Sequence, residues 1–294
     1  MKRFIRFPLE LYKDCPQYVP ALDGDQMHSL TKAAPRSYCE LKLWLAEDAS
    51  GKVAGRIAGI VNPRYNELYG RKRARFGWFD VIEDYDVARM LLDTACEWAV
   101  SYGMNEIHGP LYYNTMGKQG MLVEGFENTP PFNCLYNFPY YPAFVERYGF
   151  TKELDWIQYK VKANQGLPER LEQMAERLLA RYRLHVADIK KLKKNKELVY
   201  NFFKNYNESF ASVPNFVPYT DDEIAEEAKQ VMGMLSPETN CILLDEESHV
   251  AAFGICFPSI SEALKKAGGR LFPFGWYHLL QAFKPKHIEV LDLM

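Results

Sequence analysis

The chain has 294 residues, 48% of them hydrophobic and 25% charged, enough apolar material for one large domain or two ordinary ones. Its 36 Lys and Arg against 38 Asp and Glu leave a formal net charge of -2, without the basic excess that a nucleic-acid binder carries. No stretch approaches the ~20 apolar residues of a spanning helix, and Met1-Lys2-Arg3-Phe4-Ile5-Arg6-Phe7-Pro8 lacks the apolar core and cleavage site of a secretory signal, so a cytoplasmic protein with neither nucleic acid nor membrane as partner is expected.

In chain order, Leu41-Lys42-Leu43-Trp44-Leu45 alternates like a strand and runs into the turn signal Asp48-Ala49-Ser50-Gly51. The run 53–61 is rich in glycine and β-branched residues, which predicts a hairpin. A strand over 75–79 follows. Val87, Leu91, Ala95 and Trp98 then share one helical face, with Gly103 as the stop. Residues 105–109 form a short strand after it, and strand, helix, strand implies a parallel crossover. Residues 110–142 are rich in Gly, Pro, Asn and aromatics, too apolar for a disordered linker. A helix over 141–148 and a closing strand over 155–161 complete the first half. Leu171, Met174, Leu178 and Tyr182 predict an amphipathic bridging helix.

The pattern then restarts. A strand is expected over 184–189, and Leu198, Phe202, Phe203 and Tyr206 line a helix. Thr220-Asp221-Asp222-Glu223 is a capping box for another helix, with Ile224, Ala228, Val231 and Leu235 on one face. The second hairpin spans 241–257, with Val250 placed as Val53 is in the first; the repeated order of elements points to an internal duplication. A last strand covers 288–294. The insertion 259–286 interrupts the second half with Phe272, Phe274, Trp276, Tyr277, Leu279, Leu280 and Phe283. It suits a lid, an acyl-chain groove, a packed helical hairpin or a homodimer contact. The expected domains are therefore 1–163, a bridging helix over 164–183, and 184–294.

Six cysteines include no C-x-x-C pair, and most lie in apolar runs, as small buried hydrophobes do. The six histidines are scattered with no H-E-x-x-H, so no metal site is expected. Lys190-Lys191-Leu192-Lys193-Lys194 reads as a solvated face.

The order of elements resembles that of the GNAT acyl-CoA N-acyltransferase superfamily. The segments FPLELYKDCPQYVP, GKVAGRIAGIVNPRYNE, IHGPLYYNTMGKQGMLVEGFENTPP, YNFPYYPAFVERYGF and GRLFPFGWYHLL resemble a bacterial family of tandem GNAT-like proteins. The resemblance implies an α/β fold with mixed sheets, in two tandem GNAT-like domains, the second incomplete at its C-terminus. It also implies transfer of an acyl or acetyl group from acyl-CoA (acetyl-CoA or another) to a small-molecule amine. GNAT enzymes hold the pyrophosphate on a Q/R-x-x-G-x-G/A loop. Here that place falls on Glu83-Asp84-Tyr85-Asp86-Val87-Ala88, where Asp84 and Asp86 replace glycines and add like charge beside a phosphate. The family's late-helix tyrosine is replaced by Val145, with Tyr148 three residues on. The first domain is therefore expected not to bind coenzyme A. The second would hold it through the strand backbone at Asp292, Leu293 and Met294, with the loop beyond Met294.

Candidate substrate residues are Trp78 and Asp80, at the end of the central strand, and Asn114, Tyr136, Asn137, Tyr140 and Tyr141, which with Tyr112, Tyr113 and Asn133 would line a polar-aromatic pocket. The alternative is a loop pinned by buried tyrosines and Asn turn caps. Glu124 is a candidate general base or a surface turn carboxylate; His108 reads as structural. Two rivals stand beside the acyltransferase: a non-catalytic ligand-binding or scaffold protein, and an aminoacyl transferase of paired GNAT fold. The latter needs a basic groove that the composition does not suggest.

Overall fold

Two four-stranded sheets organise the chain in a computed structural model that describes residues 1–114, 117–162, 166, 168–284, 286 and 288–293. The chain divides into two compact units. The first comprises Met1–Lys152, Pro214–Val217 and Pro258–Val290; the second Glu153–Val213, Pro218–Phe257 and Leu291–Met294. The stretch 259–286, read from sequence as an insertion in the second domain, thus belongs with the first unit. The expected boundary residue Ala163 lies outside the described residues.

The first unit opens with helices α1 (Lys2–Leu11) and α2 (Asp23–Thr31), which the sequence reading missed. Strands β1 (Glu40–Glu47) and β2 (Val53–Val61) pair antiparallel as expected. Helix α3 (Pro63–Tyr69) leads to β3 (Arg73–Val81), antiparallel to β2. After α4 (Tyr85–Ser101) the chain returns as β4 (Glu106–His108), parallel to β3, so the crossover is present. Helix α5 (Tyr140–Tyr148) closes on Gly149 at φ +118°. One face of the sheet buries Phe4, Ile5, Leu30, Ala58, Ile60 and Trp78; the other buries Ile57, Phe76, Phe79, Leu91, Leu92 and Tyr141.

One irregularity decides which side chains share a face. Arg56 pairs with Asp80 but Ala58 pairs with Gly77, so β3 carries one extra residue there. Trp78 absorbs it at φ +45°, a left-handed backbone that a large side chain rarely adopts. Strand side chains alternate faces, and without the bulge Asp80 would follow Phe76 onto the α4 face. With it, Asp80 points to the face that carries Arg56.

In the second unit, α6 (Glu169–Arg181) is amphipathic but buries nothing: Leu171, Met174, Leu178 and Tyr182 are all exposed. The strand expected over 184–189 is only β5 (His185–Val186). Asp188 then accepts N–H bonds from Lys190 and Lys191 and starts the short helix α7 (Ile189–Leu192). A carboxylate two residues past the end of β5 favours an N-cap over a continuing strand. Helices α8 (Lys196–Ser209) and α9 (Asp221–Met234) follow, the latter with the expected capping box between Thr220 and Glu223. Strands β6 (Asn240–Leu244) and β7 (Val250–Pro258) form the second hairpin. Helices α10 (Ser261–Ala267) and α11 (Gly275–Ala282) belong to the first unit, and β8 (Leu291–Leu293) completes the order β5-β6-β7-β8. The two hairpins match in detail. Asp48 and Asp245 each donate their N–H to the carbonyl four residues on and accept that residue's N–H on their carboxylate.

The strand expected over 155–161 does not form. Its apolar and polar residues alternate, yet Trp156, Ile157, Tyr159 and Val161 are all exposed, and no ladder partner stands beside it among the described residues. Alternation makes a segment able to pair; only a neighbour makes it a strand.

Candidate functional site

The bulge in β3 and the loop 110–137 enclose a cavity of about 60 Å³ in the first unit, room for roughly two waters or a small head group. Arg56 and Asp80 meet in its wall. The Arg56 Nε donates to Asp80 Oδ2 at 2.7 Å and its Nη1 to the Phe4 carbonyl at 2.8 Å. Tyr12 donates its hydroxyl to Asp80 Oδ1 at 3.1 Å and lies 2.9 Å from the Tyr141 hydroxyl, which accepts the Val81 N–H at 2.9 Å. Donor counting orders this chain: Val81 N–H to Tyr141, Tyr141 to Tyr12, Tyr12 to Asp80. Burial pushes both phenols well above their ordinary range, with the Asp80 charge adding to it.

Lys118 also lines this cavity, half-buried, and donates to the Cys134 carbonyl at 3.2 Å. Burial pulls its ammonium down to about 8, with the Arg56 charge helping and Cys134 and Asp80 opposing. Trp78 stacks on Tyr112 at 3.6 Å between ring centres and donates its Nε1–H to Gln26 at 2.7 Å.

Of the residues singled out from sequence, Trp78, Asp80, Tyr136, Asn137 and Tyr141 are brought together around this cavity. Asn137 is held by the loop itself: its Oδ1 accepts the Leu122 N–H, and its Nδ2 donates to the carbonyls of Leu122 and Phe138. The Tyr136 hydroxyl donates to the Phe126 carbonyl. Asn114 accepts the Gly117 N–H, as a turn cap does. Glu124 is exposed and away from the cavity lining. His108 is buried, and desolvation together with Arg75 and Arg73 pulls it to about 2, so it stays neutral. Asp292 and Leu293 lie on β8, half-buried and exposed; Met294 lies outside the described residues.

Arg56, Lys118, Tyr12, Tyr18 and Gln26 were missed. Arg56 had a signal: it is the one charged residue in the otherwise Gly, Ala, Ile and Val run of β2. A buried arginine there demands a carboxylate opposite. Lys118 and Tyr12, just past α1, had none, because nothing local says that a loop lysine will be enclosed.

A separate open groove is lined by Leu11, Ile82, Glu83, Phe138, Pro139 and Tyr140, beside the start of α4. Asp84 is the N-cap of α4 and accepts from the N–H groups of Asp86 and Val87. The helix-terminal donors that would face a phosphate are thus turned to a carboxylate. Tyr140 donates to the Val81 carbonyl at 2.7 Å while Tyr141 takes the Val81 N–H, so the strand-end backbone is also engaged. These residues do not fit the pyrophosphate of coenzyme A.

The chain has relatives among named bacterial proteins. It is 28% identical over 289 residues to protein YghO of Escherichia coli strain K12, across 97% of this chain and 72% of that protein. It is 28% identical over 297 residues to the bacterial ceramide synthase of Caulobacter vibrioides, across 98% of this chain and 75% of that one. No family model matches, and no solved structure does. Among the described residues no two of the six cysteines are joined in a disulfide. Among the described residues, Asp245, Glu247 and His249 form the one group with metal-ligating atoms close together, and Asp245 there is already bonded across the hairpin turn.

Proposed function

We propose that this protein is an N-acyltransferase of tandem GNAT-like architecture that acylates the amine of a long-chain amino alcohol, in the cytosol where acyl-CoA donors reside. The likeness over almost the whole chain to a protein named bacterial ceramide synthase supports the substrate class, since a ceramide is the amide of a fatty acid with such an amine. The observation that carries the reading is Lys118, a half-buried lysine in the wall of a cavity sized for an amine head group. A base poised near 8 accepts a proton from an ammonium substrate close to neutral pH. The acyl-CoA supplies the activated acyl group when bound. The first unit, with Asp84 capping α4 and two tyrosines on Val81, is the acceptor side and not the donor site. In that role the Arg56, Asp80, Tyr12 and Tyr141 chain fixes the wall of the cavity, and Trp78 with Gln26 closes it.

The test is product analysis by mass spectrometry with sphinganine and long-chain acyl-CoA. Lys118→Met is expected to lower kcat by about 100-fold or more, with the near-ultraviolet spectrum unchanged and Lys118→Arg failing to restore it. Amide formation at the normal rate in Lys118→Met removes Lys118 from the mechanism; no amide with any acyl-CoA removes the enzyme reading. The second outcome favours a non-catalytic scaffold, which one observation already supports: the side chains of Asn114 and Asn137 bond to the backbone of their own loop.

A further inference from the structure

The α10–α11 hairpin has two unlike sides. Its inner side is anchored in the first unit: Leu264 packs with Val19 and Leu22, and Leu279 joins them. Ser261 donates to the Pro130 carbonyl at 3.0 Å, and the Asp23 N–H reaches the Gly269 carbonyl at 2.8 Å. Its outer side carries Phe272 and Phe274, 77% and 70% exposed, with Trp276, Tyr277 and Leu280 also exposed.

This tip is built rather than frayed. A Cβ on Gly275 would collide with the Arg270 carbonyl oxygen, so only glycine lets the chain turn so tightly. The Trp276 N–H donates to the Leu271 carbonyl at 2.9 Å and its indole N–H to the Pro273 carbonyl at 2.9 Å. A backbone pinned at both ends thus holds its largest apolar side chains outward. Such a patch marks an interaction surface.

The surrounding charge selects the occupant. Residues 258–290 hold five Lys and Arg against two Glu, in a chain whose formal net charge is -2. Lys266, Arg270, Lys284 and Lys286 are exposed and make no ion pair among the described residues. Phenylalanines at a tip, Trp and Tyr behind them and a basic rim form the composition of an interfacial element: rings enter the acyl boundary, amphipathic rings lie at the headgroups, and cations meet anionic lipid.

We propose that the α10–α11 tip docks the protein on an anionic membrane surface. The docking goes beyond the catalytic reading and needs no turnover to be seen. No helix among the described residues is long and apolar enough to cross a membrane, so the contact is peripheral. It replaces the expectation from composition that no membrane takes part, because composition averages over a patch confined to a dozen residues.

Sedimentation of the full chain with vesicles tests it. The protein is expected to bind vesicles of phosphatidylglycerol mixed with phosphatidylcholine, with a blue shift in emission that is lost in Trp276→Phe. The double substitution Phe272→Ser, Phe274→Ser should weaken partitioning by at least about tenfold, and Lys266→Glu with Arg270→Glu should abolish the preference over pure phosphatidylcholine. Three results overturn the proposal. They are a folded protein that binds neither vesicle, equal binding by the Phe272→Ser, Phe274→Ser protein, and a dimer in solution that this double substitution dissolves, which would make the face a contact between copies.

Discussion

The Arg56–Asp80 pair offers the sharpest test of how the first unit is held. Both side chains are nearly enclosed, at 7% and 12% exposure, and 2.7 Å apart. Asp80→Asn keeps the shape but strips the charge, leaving the guanidinium with the Phe4 carbonyl and the Phe4 ring as its company. Removing one partner of a buried pair costs about 3–5 kcal/mol, since the survivor is an uncompensated buried charge. Arg56→Met should cost a similar amount, leaving the carboxylate with the Tyr12 hydroxyl. The double variant removes both charges and should cost clearly less than the two singles together, with a coupling of at least about 2 kcal/mol. For a unit of this size each kcal/mol moves Tm by roughly 2–4 °C, so the singles should melt about 6–20 °C lower. Near-ultraviolet circular dichroism of tryptophan is the assay, because Trp44, Trp78, Trp98 and Trp276 lie in the first unit and only Trp156 in the second. Singles that cost under about 1 kcal/mol, or a double equal to their sum, would refute the argument.

Further predictions concern single groups. Lys118→Met should stabilise the protein at pH 7 by up to about 3 kcal/mol, since a lysine pulled from 10.5 to about 8 charges the folded state at roughly 1.4 kcal/mol per pH unit; the gain should shrink between pH 8 and 10.5, and denaturant melts at several pH values read it. His108 is held near 2 in the fold against 6.5 unfolded, so the unfolded chain binds the extra proton below pH 6.5. Stability should fall by about 2 kcal/mol between pH 6.5 and 5 on its account, and His108→Gln should flatten that slope in acid melts. Asp84→Ala should cost about 1 kcal/mol through the lost N-cap of α4, read as a Tm shift of a few degrees. Gly275→Ala should disorder the aromatic tip, since its Cβ meets the Arg270 carbonyl; an unchanged Trp276 emission would count against the tight turn.

Local chemistry was legible without coordinates. The two hairpins follow from alternation and from Asp turns that cap themselves. Helices α4, α8 and α9 follow from periodic apolar faces, and α9 also from its capping box. Acids at 84 and 86 favour a helix start, and in the structure Asp84 caps α4. Where pairing was required, sequence fell short: residues 155–161 alternate like a strand but lie exposed without a ladder, and 184–189 shrank to two strand residues before Asp188 turned the chain. What sequence determined by itself is therefore every feature whose energy lies within a few residues: turns, caps and the faces of helices. Tertiary structure alone decided the site. One extra residue at Trp78 swings Asp80 to the face of Arg56, the turn after α1 brings Tyr12 to it from 68 residues away, and the loop partly shields Lys118 from water. Those outcomes depend on which distant groups exclude solvent together, and burial is a property of the assembled fold rather than of any segment.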